Sequence, residues 1–361
     1  MSTIELNALT KHFGNLTAVD AVDLDVAAGE VVCLLGPSGC GKTTTLRMIA
    51  GLERASSGEV FIGGHPVNRL PTRARNVAMV FQFYALYPTL SVRENLAYPL
   101  HAEKLDEAES RRRVDQILDI LHLREVAERL PGQLAEGEKQ RVAVGRAIVR
   151  DPTCFLFDEP LSRLDVQLRE TMRGQIKEVL TGLSKATVIV THDQLEALTM
   201  ADRIAVMRDG RIEQFDTPHQ IFSAPANEFV AGFIGTPQMN LLEAQVVDVS
   251  GDLTLRIGEQ QMSLPTASRE PALAVGQGVT LGVRPRNLEL VAASGPATLS
   301  ATVDLVEPMG AETLLHLAVG QRDLRVVTER GLAAREGEQV HVALRTDRLH
   351  LFDNAGERIA T

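Results

Sequence analysis

Gly36-Pro37-Ser38-Gly39-Cys40-Gly41-Lys42-Thr43-Thr44 is the stretch whose reading decides the fold. It follows Val31-Val32-Cys33-Leu34-Leu35, a short apolar run with the pattern of a buried parallel strand. After it, Thr45-Leu46-Arg47-Met48-Ile49-Ala50 reads as a helix ending at Gly51. Strand, glycine-rich loop and helix form the context that a phosphate-binding loop requires. The glycines let successive backbone N–H groups turn inward around anionic oxygens, and the helix N-terminus adds its positive end. Lys42 is expected to reach the outer phosphates and Thr43 to hold Mg²⁺ through its hydroxyl. These residues predict a chain that binds a nucleoside triphosphate.

Working outward, three later strands end in polar residues suited to that ligand. Asn76–Phe81 reads as a strand followed by Gln82, a candidate for the Mg²⁺ and water around the γ-phosphate or else a surface glutamine. Cys154-Phe155-Leu156-Phe157 runs into Asp158 and Glu159. A strand-terminal aspartate downstream of such a loop suits Mg²⁺ held through water, and Glu159 is placed to act as general base on an attacking water. Thr187–Thr191 is the next apolar strand and ends at His192, which either contacts the γ-phosphate or is a satisfied core histidine. Upstream, Phe13 can stack on an adenine ring or simply fill the core.

Between these strands the chain changes character. Residues 88–150 read as helical, with Asp106 and Glu109 as a capping box. Val114, Ile117, Leu118 and Leu121 then form the apolar stripe of an amphipathic helix, and Arg111-Arg112-Arg113 its solvated face. A second helix starts near Glu138 and stops before Asp151-Pro152. Asp165 opens a long helix, and Asp209-Gly210 turns a hairpin. After Phe233-Ile234-Gly235-Thr236-Pro237 the pattern becomes short alternating strands, such as Leu253–Ile257, Val279–Val283 and Thr313–Val319, which suggests a small all-β barrel or sandwich. The expected organisation is therefore an α/β P-loop NTPase domain over 1–235, with its helical insert at about 88–150, and an all-β domain over 236–361.

Composition narrows the partners. The 361 residues are too many for one ordinary core. With 47 acidic against 37 basic side chains and a net charge of −10, the chain lacks the basic surface that nucleic acid demands. No apolar run reaches the length of a membrane span, and no signal peptide is visible at the N-terminus. Cys33, Cys40 and Cys154 have no metal-ligand spacing and read as reduced, which fits the cytoplasm. Cys40 lies inside the phosphate loop, where a thiol reagent is expected to interfere with nucleotide binding.

Taken together these motifs resemble the ATPase subunits of ABC transporters, specifically those of carbohydrate importers of the maltose and glycerol-phosphate type, over essentially the whole chain. Gly36–Thr44 is similar to the Walker A loop, Phe155–Glu159 to Walker B, Gln82 to the Q-loop glutamine and His192 to the switch histidine. Phe13 takes the place of the adenine-stacking aromatic, and Gly282-Val283-Arg284-Pro285 and Val306-Glu307-Pro308-Met309-Gly310 resemble segments of the regulatory OB-like domain. The resemblance implies a head-to-tail ATPase dimer, of this chain or with a second ATPase, with ATP and Mg²⁺ sandwiched between each Walker A and the other's signature loop. It also implies two membrane-spanning permease subunits docking near Phe83–Asn95, an extracytoplasmic binding protein that acts indirectly, and a peripheral place on the cytoplasmic face of the membrane. A soluble ABC-type protein of DNA repair or translation would need basic surface, a coiled-coil insert or a second cassette. A scaffold without turnover would not need Glu159 and His192. An importer of anions or polyamines stays open.

Two places depart from the family. Where its signature loop reads Leu-Ser-Gly-Gly-Gln, this chain has Leu134-Ala135-Glu136-Gly137-Glu138. Ala135 offers no hydroxyl, and Glu136 and Glu138 are expected to bring carboxylates towards the partner's triphosphate. Either a homodimer works with two weakened sites, or the chain pairs with a different ATPase that supplies an intact signature. The turn Leu161-Ser162-Arg163-Leu164-Asp165 carries Arg163 where the family has a small or amide residue.

Overall fold

Two long strands, β1 (Ser2–Phe13) and β2 (Leu16–Ala27), open the chain as a hairpin in the computed structural model, which describes residues 2–103, 105–162, 164–265, 273–329 and 334–359. There follow β3 (Val31–Leu35), α1 (Lys42–Ala50), β4 (Ser57–Ile62), β5 (His65–Pro66) and β6 (Val77–Val80). The helical insert carries α2 (Val92–Ala97), α3 (Glu107–Ile120) and α4 (Glu136–Ile148). The chain returns through β7 (Cys154–Asp158), α5 (Val166–Leu183), β8 (Ala186–Thr191), α6 (Gln194–Met200), β9 (Arg203–Arg208) and β10 (Arg211–Asp216).

Two sheets share the core of this part. One is antiparallel, in the order β2-β1-β4-β5; the other runs β10-β9-β3-β8-β7-β6 and is parallel from β9 to β6. Parallel strands are covered on both faces, and β3, β7 and β8 are buried at every position. Ile4, Leu6 and Val26 of the first sheet pack with Val32 and Leu34 of the second and with Leu46 and Ile49 of α1. The register decides the function. Leu35 pairs with Thr191, Val190 with Asp158 and Phe157 with Val80, so all four strands end together on one sheet edge. In parallel α/β sheets that edge is where ligands bind.

Chain division falls between Pro218 and His219, ahead of the junction at 235 read from the sequence. The second unit begins with α7 (Pro218–Ser223) and α8 (Glu228–Phe233). Its strands are β11 (Asn240–Asp248), β12 (Leu253–Ile257), β13 (Gln260–Leu264), β14 (Gly278–Val283), β15 (Leu288–Val291), β16 (Thr298–Met309), β17 (Glu312–Val319), β18 (Arg322–Glu329), β19 (Gln339–Leu344), β20 (Leu349–Phe352) and β21 (Arg358–Ile359). They form antiparallel sheets β13-β12-β11-β14-β20-β21 and β15-β19-β16-β17-β18 over one apolar core. The all-β reading of the tail holds. Arg284 explains why α7 and α8 group with it. Its buried guanidinium donates to the carbonyls of Ile234 (2.7 Å) and Phe222 (2.6 Å) and stacks on the Phe222 ring. Burial without a carboxylate partner pushes its pKa down to about 10.

Three local expectations need correction. α1 begins at Lys42, not Thr45, so the phosphate-loop lysine lies in the first helical turn. Asp106 does cap α3 by accepting from the Glu109 N–H, but Glu109 does not reach back. Its carboxylate binds Arg112 and Arg113, whose hydrogen bonds hold its pKa down at about 2. α4 begins at Glu136, so the altered signature residues are the start of a helix. Arg163 lies outside the described residues.

Candidate active site: a phosphate cradle and a bracketed carboxylate

Gly36 and Gly41 set the shape of the loop. A Cβ on Gly36 would sit 2.3 Å from the Met207 carbonyl oxygen, and one on Gly41 would sit 2.4 Å from that of Ala18. Gly41 also has φ +102, a left-handed conformation natural to glycine, and it stands at the N-cap of α1. No side chain caps that helix and its first turn holds no acidic residue. Its leading N–H groups therefore face the loop unsatisfied by side chains, which is the arrangement an anion completes. Pro37, Ser38 and Gly39 are the exposed crest, and Thr44 continues the first turn.

Lys42 is buried, and its ammonium donates to the carbonyls of Gly36 (2.7 Å) and Pro37 (2.9 Å) across the mouth of the loop. A buried cation held by two neutral carbonyls and the Cys40 sulfur is matched better by phosphate oxygens. Arg75 completes α1 from its other end, donating to the Met48 and Ile49 carbonyls at 2.7 and 2.8 Å. α1 is thus closed by a cation at its negative end and open at its positive end. The sequence reading missed Arg75, because nothing local links it to Gly51.

The Thr43 hydroxyl donates to Asp158 Oδ1 at 3.1 Å. Burial raises the Asp158 pKa, against the opposing hydrogen bond from Thr43. A hydroxyl, a carboxylate and the Gln82 amide are hard oxygen donors that fit Mg²⁺. Among the described residues no three His, Cys, Asp or Glu side chains could hold a metal by themselves. The donor set is that of an ion shared with phosphate oxygens, because Mg²⁺ commonly takes only one or two carboxylates beside them.

Glu159 stands at the centre. One carboxylate oxygen lies 3.2 Å from His192 Nδ1, and the other accepts from Gln82 Nε2 at 3.1 Å. Three residues from three strand ends thus meet at one point, as the shared register requires. The Glu159 backbone has φ +49, a conformation costing about 1–3 kcal/mol in a non-glycine residue, and its N–H is held by the Val190 carbonyl at 2.9 Å. His192 is exposed, which removes the core-histidine reading. Phe13 is 47% exposed with the Lys11 ammonium 4.6 Å over its ring, so it does not fill the core. Cys40 is buried beside Lys42, at 3.6 Å, and burial raises its thiol pKa. A buried protonated thiol is a poor target, contrary to the expected reactivity.

The signature residues lie elsewhere on the unit, at the start of α4. Ala135 is the N-cap, and Glu138 accepts from its N–H at 2.8 Å. Glu136 pairs with Lys139 at 2.6 Å. Gly137 packs on Leu168, whose side chain would lie 2.8 Å from an added Cβ, and Leu134 is buried. The two carboxylates are therefore engaged within their own helix turn.

Comparison with known proteins agrees with this geometry. The ABC transporter family matches residues 19–162, the MalK OB fold domain residues 235–288 and the TOBE domain residues 281–352. The sn-glycerol-3-phosphate import ATP-binding protein UgpC of Chromohalobacter salexigens is 46% identical, over 99% of this chain and 96% of its own length. The sulfoquinovosyl glycerol transport ATP-binding protein SmoE of Agrobacterium fabrum is 42% identical over 99% of each chain. Among solved structures, the dimeric ATP-binding cassette MJ0796 in a post-hydrolysis state bound to ADP and Pi superposes with a TM-score of 0.53. It is 31% identical and covers 60% of this chain and 98% of its own.

Proposed function

The chain belongs to the ABC transporter family of import ATP-binding proteins, and from that premise we propose that it powers uptake of a sugar, a polyol or a polyol phosphate. It is an ATP-binding subunit whose hydrolysis is coupled to transport. The observation that supports a working rather than a scaffold site is Glu159 bracketed by Gln82 and His192 beside an open phosphate cradle.

In this reading the loop N–H groups of Gly36–Thr44 hold the β- and γ-phosphates, and the Lys42 ammonium exchanges its two carbonyl partners for phosphate oxygens. Thr43, Asp158 and Gln82 would hold Mg²⁺, which neutralises charge developing on the phosphates. Glu159 takes a proton from the water that attacks the γ-phosphorus, and ADP leaves. Both Glu159 oxygens are engaged in this structure. Release of Gln82 and His192 towards the γ-phosphate frees the base, so turnover follows nucleotide arrival. Phe13 stacks on the adenine.

The partners follow from the same reading. A second ATPase subunit would face this one through Leu134–Glu138, and two permease subunits would dock on the segment after Gln82. There Phe83 is 62% exposed, and the Tyr87 and Tyr98 rings lie 4.4 Å apart. Among the described residues no helix is long and apolar enough to cross a membrane. The chain would therefore sit peripherally on the cytoplasmic face, meeting the extracytoplasmic binding protein only through the permease. Affinity capture of the full-length chain from solubilised membranes tests this. Two permease subunits are expected with it, and a second, different ATPase chain would identify an asymmetric pair. Recovery of the chain without any permease would contradict the assignment.

A further inference from the structure

His192 is the last residue before a short turn into α6, and the residues on either side of it are fixed. The Thr191 hydroxyl donates to Glu196 Oε2 at 2.7 Å and accepts from the Asp193 N–H at 3.0 Å. Asp193 caps α6, accepting from the N–H groups of Leu195 (2.9 Å) and Glu196 (3.2 Å) on one oxygen. Its other oxygen is 3.1 Å from Arg169 Nη1. Arg169 belongs to α5, and its Nη2 donates to the Leu164 carbonyl at 3.0 Å. Leu164 ends the turn that follows Glu159, where the Ser162 hydroxyl donates back to the Glu159 carbonyl at 3.1 Å.

These contacts close a ring. It runs from the Glu159 carbonyl to the Ser162 hydroxyl, from the Leu164 carbonyl to Arg169, from Arg169 to Asp193, and from the adjoining His192 back to the Glu159 carboxylate. Among the described residues Arg169 is the cross-tie outside the two loops, and it uses both arms of the guanidinium on different loops. A lysine could not reproduce that fork. The site sees the tie electrostatically as well. Burial raises the Asp193 carboxyl, but the Glu196 and Leu195 N–H groups and Arg169 offset this and leave its pKa below the ordinary value.

We propose that Arg169 is a positioning residue for ATP hydrolysis, tying the His192 loop to Leu164 in the turn after Glu159 so that the imidazole is presented from one fixed loop geometry to the γ-phosphate beside Glu159. The inference rests on the hydrolytic reading of Glu159 and adds a residue to it. An ordinary surface ion pair would leave turnover unchanged.

The test compares ATP turnover and ATP affinity in the full-length chain for the parent, Arg169→Gln, Arg169→Lys and Asp193→Asn. Asparagine keeps the α6 cap and removes the charge, so it attacks the tie from the other end should Arg169→Gln fold badly. Misplacement of a catalytic group by about 1 Å can cost about 10²-fold. Arg169→Gln and Asp193→Asn are each expected to lower kcat by ~10–100-fold, with ATP affinity changed less than about twofold. The double variant should be no slower than the slower single one, since one tie can be broken only once. Arg169→Lys should recover little, because it restores the ion pair without the Leu164 arm. Near-parental kcat in Arg169→Gln, full recovery by lysine, or losses that multiply in the double variant would each overturn the proposal. Glu159→Gln, assayed alongside, separates the two claims. If it turns over like the parent, the hydrolytic reading has failed and the Arg169 proposal falls with it.

Discussion

The roles proposed for Lys42 and Glu159 rest on residue identity and surroundings together. Among the described residues Lys42 has no carboxylate partner and lies against two carbonyls and the Cys40 sulfur at the mouth of the loop. Removing it deletes a charge-assisted contact of about 1.5–3 kcal/mol. Lys42→Ala is therefore expected to weaken ATP binding by ~10–100-fold in a fluorescent-nucleotide titration, with the melting temperature little changed. Unaltered affinity would remove Lys42 from the site. At this scale the sequence was informative, because a glycine loop followed by Lys-Thr and strand-terminal Gln, Asp-Glu and His carries its chemistry in residue types at fixed places. Arg75, Arg169 and Glu196 were not legible. Each acts through partners distant in the chain or through a side chain turned inward, and neither leaves a local pattern.

At the scale of the element, α6 and α4 make separate predictions. Glu196 in α6 is buried, and burial raises its pKa to about 7 from the ordinary 4.5, with the Thr191 hydrogen bond opposing. Between those values the folded chain holds a proton that the unfolded chain releases. Stability from this group is complete below 4.5 and is lost as pH rises through about 7. Glu196→Gln, which stays neutral, should gain on the parent by up to ~3 kcal/mol between about pH 5 and 7.5 in denaturant unfolding. A gap independent of pH would contradict the burial argument. α4 carries only half of a capping box, since Glu138 accepts from Ala135 N–H but Ala135 has no oxygen to return. Ala135→Ser should add ~1 kcal/mol of stability, measured in the same way. If that variant also raises ATP turnover in a complex containing only this ATPase, the weakened homodimer is favoured over an asymmetric pair. The start of α4 was misplaced from sequence because Ala135, unlike Asp165 or Asp193, is not a capping residue type.

At the scale of the whole chain, hydrophobic periodicity located the all-β tail, and the compact second unit takes in two short helices ahead of it. Composition changes after Phe233, whereas the compact units divide after Pro218, and Arg284 binds the carbonyls of Phe222 in α7 and of Ile234 just past α8. A chain ending at Pro218 is expected to bind ATP with the affinity of the full chain, since every loop residue of the site lies upstream. Loss of binding in a soluble, folded truncation would show that the tail completes the site.

The central claim is that Glu159 drives ATP hydrolysis for transport, and one measurement addresses it most directly. ATP turnover with Mg²⁺ is compared between the parent and Glu159→Gln, each assembled with its permease, alongside ATP binding. The account predicts that binding is retained while turnover falls by ~10²–10⁴-fold, the usual contribution of a positioned general base. Turnover equal to the parent's, in an assembled complex that binds ATP, would contradict it.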